Sequence, residues 1–332
     1  MRVAINGLGR VGRLYLRAAL SAGVEIVAIN EPAGTPESLA LGVEFDSVQG
    51  RYAADIHSAA DHLLVNKRRI PLLRSARFED LDWRAHEVDL VVDCSGAAKQ
   101  RERAHVHIDR GAKQVLVSNP VRGVPNLVYG VNHADVDLAG HSILTAASCT
   151  TNCLAPVVRV LHDSIGIERG VVTTLHDPTN TQVVVDRPHS DPRRARSALL
   201  NLIPTSTNSA SAVTLIIPEL EGRLDSMAVR VPVLNASLTD CAFHMRRDTN
   251  VDEVLGALRA AADGPMRGIL GVEDRPLVSS DYANDPRSGI VDAACTRVVD
   301  GRMVKVMVWY DNEWGYANRM KDLTQAIASA RQ

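Results

Sequence analysis

The chain opens Met1-Arg2-Val3-Ala4-Ile5-Asn6-Gly7-Leu8-Gly9-Arg10-Val11-Gly12, a short apolar strand running straight into G-x-G-x-x-G, with a helical stretch from Arg13 to Ala22 behind it. Strand before and helix after is the context in which these glycines have a physical reason. They allow a tight turn, let a pyrophosphate approach the backbone, and let helix and strand pack closely, with phosphates held on the helix N-terminus. A second strand, Val24 to Ile29, ends in Asn30-Glu31, and Glu31 supplies the carboxylate for a ribose hydroxyl. The expected ligand is a dinucleotide, bound by Gly7, Gly9, Arg10, Val11, Gly12 and Glu31.

Further along, Asp89 to Ser95 is a buried-type strand that stops at Gly96, Arg101 to Arg110 is a polar helix, and Gln114 to Ser118 is the next strand. Strands alternating with helical patterns imply an α/β fold with a parallel, doubly wound sheet and its ligand at the carboxyl ends of the strands. Ser118, closing its strand, is counted with the cofactor-binding residues. Lys67-Arg68-Arg69 reads as a solvated hairpin face.

A chemically distinct stretch follows: Ala147-Ser148-Cys149-Thr150-Thr151-Asn152-Cys153, with Leu154, Val157, Val158 and Leu161 repeating at helical period behind it. Cys149 therefore sits where a helix begins, and the N–H groups and positive dipole end there favour a thiolate over a thiol. The strand Gly170 to Leu175 delivers His176, a base for that thiol. Cys149 and Cys153 are four apart, but no second Cys or His pair with ligand spacing accompanies them, so no metal is expected.

Composition narrows the function class. The chain has 332 residues, 45% of them hydrophobic, and a net charge of −2, enough for about two domains and without the basic field that nucleic acid or an anionic membrane would require. Five cysteines point to reduced thiols. No secretory leader pattern opens the sequence and no apolar run reaches membrane-spanning length, so the expected location is cytoplasmic, with a small-molecule partner.

After His176 the pattern changes to a long polar loop, Pro178 to Arg196, containing Pro188-His189-Ser190-Asp191-Pro192-Arg193-Arg194. Loops of this length are usually functional or packed on a neighbour. A helix is expected from beyond Ser209 to Leu220. Strands are expected at Met227 to Val233, Leu238 to Met245 and Val304 to Tyr310, forming an α+β second domain on a mainly antiparallel or mixed sheet. A periodic helix, Glu313 to Ala330, closes the chain.

These segments together resemble the glyceraldehyde-3-phosphate dehydrogenase family from end to end. The resemblance is carried by Asn6 to Arg13, Ala147 to Cys153, Thr173-Thr174-Leu175-His176, Ala228-Val229-Arg230-Val231-Pro232 and Trp309-Tyr310-Asp311-Asn312-Glu313-Trp314-Gly315-Tyr316. It implies a Rossmann domain, 1–148, rejoined by the C-terminal helix 313–332, a catalytic domain, 149–312, bound NAD and a homotetramer. It also implies that Thr179, Thr181 and Arg230 hold the substrate phosphate, that Ser148, Thr150 and Thr207 hold the attacking anion, and that Asn312 orients the nicotinamide amide.

Within the family, Asp177 to Gln182, the loop Pro188 to Arg196, Asn235 to Asp240 and Tyr282 to Ser288 look most like the arsenical-resistance-associated type, which works beside an arsenic efflux transporter and uses arsenate as the attacking anion. The loop's histidine and paired arginines also resemble erythrose-4-phosphate dehydrogenase. Asn208 replaces the usual glycine after Thr207. It either tolerates a left-handed turn and tunes the anion pocket or is a solvent-facing turn residue. The implied reaction oxidises glyceraldehyde 3-phosphate with NAD and phosphate, or arsenate, through a Cys149 thioester. A reading of another class is a catalytically silent NAD-binding regulatory module.

Overall fold

The structure, a computed structural model, describes residues 1–179 and 182–331. It divides into one unit of Met1–Ser148 with Ala317–Gln332 and a second of Cys149–Tyr316.

The first unit contains β1 (Arg2–Asn6), α1 (Arg10–Ser21), β2 (Glu25–Asn30), α2 (Pro36–Glu44), β3 (Ile56–Ala59), β4 (His62–Val65), β5 (Arg68–Leu73), β6 (Leu90–Asp93), α3 (Arg101–Asp109), β7 (Gln114–Val117) and β8 (Ile143–Thr145). Its sheet runs β3-β4-β5-β2-β1-β6-β7-β8. From β5 to β8 every pair is parallel, and Val3 to Asn6, like all of β6 and β7, is buried. Continuously buried, largely apolar runs of this kind belong to parallel strands covered on both faces. Two antiparallel pairings, β3 with β4 and β4 with β5, extend one edge. The basic cluster lies at that hairpin: Asn66 and Lys67 form the turn with φ of 50° and 67°, the positive pair that matches the twist of the flanking strands. Helix α1 begins at Arg10, three residues before the expected Arg13, because Gly9 caps it in an extended conformation.

The second unit contains α4 (Cys149–Ser164), β9 (Ile167–His176), β10 (Ile203–Ser206), α5 (Ser209–Thr214), β11 (Leu224–Arg230), β12 (Ser237–Met245), α6 (Val251–Asp263), β13 (Leu270–Glu273), β14 (Gly289–Val299) and β15 (Met303–Tyr310); α7 (Trp314–Ala330) begins in it. The sheet order is β10-β11-β9-β12-β15-β14-β13. It is mixed: β11 pairs parallel with β9 and β13 with β14, and the other neighbours are antiparallel. Along β12 buried and half-buried residues alternate from Ser237 to Met245, the period of a strand with one face on a core. Helix α4 supplies that core with Leu154, Ala155, Val157, Val158 and Leu161.

The helix expected to reach Leu220 is two pieces. Helix α5 stops at Thr214, and Pro218 opens a separate 3-10 turn to Leu220. Proline suits the first position of a turn and disfavours helical backbone in the residue before it. The polar loop after β9 is pinned by Asp186, which accepts from Arg196 Nε at 2.6 Å and from the Ser197 N–H at 2.8 Å. Among the described residues no helix is long and apolar enough to cross a membrane.

Candidate active site

Two elements of the second unit end at the same point. Helix α4 starts at Cys149 and β9 finishes at His176, and their reactive atoms lie 3.7 Å apart, Sγ to Nε2. Ala147, just before Ser148, has φ of 56°, a left-handed conformation that costs a non-glycine residue about 1–2 kcal/mol and persists only where surrounding structure imposes it. The other cysteines lack this setting. Cys94, Cys153 and Cys241 have their thiols pushed up by burial, which favours the inert protonated form.

His176 is 5% exposed. Burial alone would push it down, but hydrogen bonds to Asp177 and Cys149 and the charge of Cys149 outweigh burial and the opposing Arg230, leaving it raised to about 9. Its Nδ1 is 2.9 Å from the Asp177 carbonyl oxygen and 2.7 Å from Asp177 Oδ1. Tyr310 closes the site with its ring edge-on to His176 at 6.1 Å, and its hydroxyl lies 2.9 Å from Thr150 Oγ1.

One cationic side chain lies beside the pair, with a second close to it. Arg230, the last residue of β11, donates from Nη1 to the Asp177 carbonyl at 2.9 Å, while its Nε is buried with no hydrogen-bond partner among the described residues. Arg194 donates to Thr205 Oγ1 from Nη2 at 2.6 Å and from Nε at 3.0 Å. It is close enough to Arg230 for the two charges to oppose each other. Two arginines meeting in a half-buried site suit a tetrahedral oxyanion.

The expected anion-binding residues divide. Thr207 shares a 2.7 Å hydrogen bond with Ser209 at the start of α5. Thr179 is exposed and bonds Gln182 Oε1 through N–H and hydroxyl, each at 2.9 Å; Thr181 lies outside the described residues. Ser148 is half-buried, directly before Cys149. Asn208 is exposed at the N-cap of α5, with φ of −103° and no side-chain cap. The left-handed turn considered for it is not adopted, because an N-cap residue takes ordinary negative φ. Asn312, 8% exposed, donates to Asp177 Oδ2 at 2.9 Å and accepts from Ser237 Oγ at 3.1 Å.

In the first unit the glycine loop has the shape a dinucleotide requires. A Cβ on Gly7 would lie 2.6 Å from the Ser95 nitrogen, and one on Gly12 would lie 2.0 Å from the Gly7 carbonyl oxygen. Around Gly9 nothing lies within 4 Å of that position, so the backbone is open where phosphates would approach. Glu31 follows β2, its carboxylate accepting the N–H groups of Leu8 at 2.7 Å and Ala33 at 2.9 Å. Arg10 turns its guanidinium to Asp46, leaving its backbone and that of Val11 to form the helix start. The Ser118 N–H bonds the Asp93 carbonyl at 2.9 Å. These residues fit an NAD phosphate cradle and a ribose acceptor.

The sequence assigns no site role to Asp177, Arg194 or Tyr310. Arg194 had a signal, its place in a basic loop following the histidine. Asp177 had none beyond adjacency, since successive strand residues point to opposite faces; it reaches His176 because β9 ends there.

Comparison with known proteins bears on both units. The glyceraldehyde 3-phosphate dehydrogenase NAD binding domain family matches residues 1–101, and the glyceraldehyde 3-phosphate dehydrogenase C-terminal domain family matches residues 148–312. The chain is 49% identical to glyceraldehyde-3-phosphate dehydrogenase 3 of Nostoc sp., covering 99% of this chain and 98% of the relative. It is 46% identical to the glyceraldehyde-3-phosphate dehydrogenase of Cereibacter sphaeroides, covering 98% of each. It is 44% identical to that of Geobacillus stearothermophilus, covering 99% of this chain and 98% of the relative.

Proposed function

The chain belongs to the glyceraldehyde-3-phosphate dehydrogenase family and is an NAD-dependent oxidoreductase, and on that premise we propose that it oxidises D-glyceraldehyde 3-phosphate with inorganic phosphate through a thioester on Cys149. The observation that carries this reading is the 3.7 Å approach of Cys149 Sγ to His176 Nε2, with Arg230 beside it.

The Cys149 thiolate attacks the aldehyde carbon, and the His176 imidazolium gives its Nε2 proton to the carbonyl oxygen, forming a hemithioacetal. The neutral imidazole then takes that hydroxyl proton back as the C–H bond gives up its hydride. Bound NAD supplies the hydride acceptor. The thioester left on Cys149 is attacked by a phosphate oxygen. The developing oxyanion is stabilised by backbone N–H groups at the start of α4 and by protonated His176, and collapse releases the acyl phosphate and the thiolate. Thr179, Thr181 and Arg230 hold the substrate phosphate. Ser148, Thr150, Thr207 and Asn208 line the attacking-anion position, and Asn312 orients the nicotinamide amide.

Arsenate, similar in shape and charge to phosphate, serves as an alternative attacking anion and yields 1-arseno-3-phosphoglycerate for a partner efflux transporter. The resemblance of Asp177 to Gln182 and of Pro188 to Arg196 to the arsenical-resistance-associated type supports this. We also read the enzyme as a cytoplasmic homotetramer. Val184, Val185, Leu199, Leu200 and Leu202 are all at least half exposed along one segment, more apolar surface than an isolated loop ordinarily shows to water.

NADH formation with glyceraldehyde 3-phosphate and phosphate tests the reading. Arsenate in place of phosphate tests the second anion, and erythrose 4-phosphate in place of the triose tests the alternative substrate. NAD binding without any reduction would instead indicate the silent regulatory module.

A further inference from the structure

Asp177 is 3% exposed, and each part of it meets the reactive centre. Its carbonyl oxygen accepts from Arg230 Nη1 at 2.9 Å and lies 2.9 Å from His176 Nδ1. Carboxylate Oδ2 accepts from Asn312 Nδ2 at 2.9 Å. The other oxygen, Oδ1, is buried without a directed hydrogen bond among the described residues, yet it lies 2.7 Å from His176 Nδ1. A buried carboxylate oxygen in this position gains most from a positive neighbour.

Arg230 acts on the same nitrogen in the opposite sense. Its Nη1 lies 2.6 Å from His176 Nδ1, and a guanidinium nitrogen can only donate. That approach suits an Nδ1 without a proton, whereas the Asp177 carbonyl oxygen and Oδ1 suit an Nδ1 that carries one. The imidazole is thus held between a group that favours its neutral form and a group that favours its charged form. Among the described residues, the other groups facing it are Cys149 from the start of α4 and the Tyr310 ring from β15.

We propose that Asp177 is a positioning residue: its buried carboxylate keeps the Nδ1 proton on His176 against Arg230, and through Asn312 it ties the orientation of the acid–base residue to that of the nicotinamide-facing amide. This rests on the catalytic reading above, in which His176 must be an acid in one step and a base in the next. The Asn312 amide is oriented by the same arrangement. With Nδ2 on Asp177, its Oδ1 faces the Ser237 hydroxyl at 3.1 Å. The raised value of His176, with the Asp177 hydrogen bond the foremost cause acting upward, agrees with the geometry.

The test replaces the charge and keeps the shape. In Asp177→Asn, the side-chain oxygen can still accept from Asn312 and the main-chain carbonyl is untouched. Nitrogen NMR titration of His176 in the NAD-free protein, assigned by its loss in His176→Asn, should show the imidazolium giving way about 1 pH unit or more lower than in wild type. The alkaline limb of kcat/KM for glyceraldehyde 3-phosphate should move the same way. Asp177→Ser, smaller and uncharged, should give the same displacement if the Asn variant folds poorly. An unmoved His176 titration in either folded variant overturns the proposal, even if its rate falls. If wild type fails to reduce NAD, the catalytic reading fails by itself, and the NMR titration still decides the role of Asp177.

Discussion

The Glu31 carboxylate accepts the backbone N–H of Leu8 at 2.7 Å, so the acidic residue after the second strand is anchored to the glycine loop itself. Its second oxygen is held by the Ala33 N–H at 2.9 Å. A carboxylate fixed there can accept from ribose hydroxyls and repels a 2′-phosphate. The kcat/KM with NAD should exceed that with NADP by roughly 100-fold or more, on the order of 3 kcal/mol, and Glu31→Ser should narrow the ratio. Equal kcat/KM for the two cofactors in wild type would refute this role for Glu31.

Gly9 and Gly12 should respond differently to the same methyl group. Gly12→Ala drives a Cβ to 2.0 Å from a backbone oxygen, and overpacking of that kind costs about 1–3 kcal/mol or more, read as a lower Tm. Gly9→Ala meets nothing within 4 Å, so its Tm should stay near wild type while NAD affinity, measured by calorimetry, falls. Unchanged NAD affinity in Gly9→Ala would show that phosphates do not approach there.

Cys149→Ser should abolish turnover and leave NAD binding intact, because burial pushes the Cys94, Cys153 and Cys241 thiols up and burial with Asp292 pushes Cys295 up. His176→Asn should lower kcat by roughly 10²–10⁴-fold, the usual worth of a general acid–base group. Single-turnover kinetics separates the two, and a Ser variant with near wild-type rates would remove Cys149 from the mechanism.

His176 also links folding to pH. Its value is raised to about 9 from an ordinary 6.5, so the native state binds the proton more tightly than the unfolded chain does. The resulting stabilisation is fully present below about pH 6.5 and is lost as pH rises through about 9. Denaturant titrations of wild type and His176→Asn should therefore differ in slope between those limits, with wild type losing more stability on the alkaline side. Parallel curves would contradict it.

Asn208 caps no helix N–H with its side chain, so Asn208→Gly should change stability by only a few tenths of a kcal/mol. If the amide faces the attacking anion, the ratio of arsenate-supported to phosphate-supported kcat/KM shifts while the KM for aldehyde holds. An unchanged ratio returns Asn208 to a solvent-facing turn residue.

What the sequence by itself determined was local and periodic. An apolar run, a glycine turn and a helix identify the dinucleotide fold because each is a short-range backbone requirement. The helix starting at Cys149 and the strand ending at His176 were legible from hydrophobic spacing for the same reason. The mixed character of the second sheet was only partly legible, since strand propensity carries no direction; the parallel pairings of β9 with β11 and β13 with β14 depend on how the chain returns. Tertiary structure alone decided the surroundings of His176. Asn312 reaches Asp177 across 135 residues, and Arg230 reaches it across 53. Asp177 itself, one residue past the strand, turns back onto the histidine that alternation would have it face away from. Such contacts depend on where elements end and what packs against them, and no local propensity encodes that.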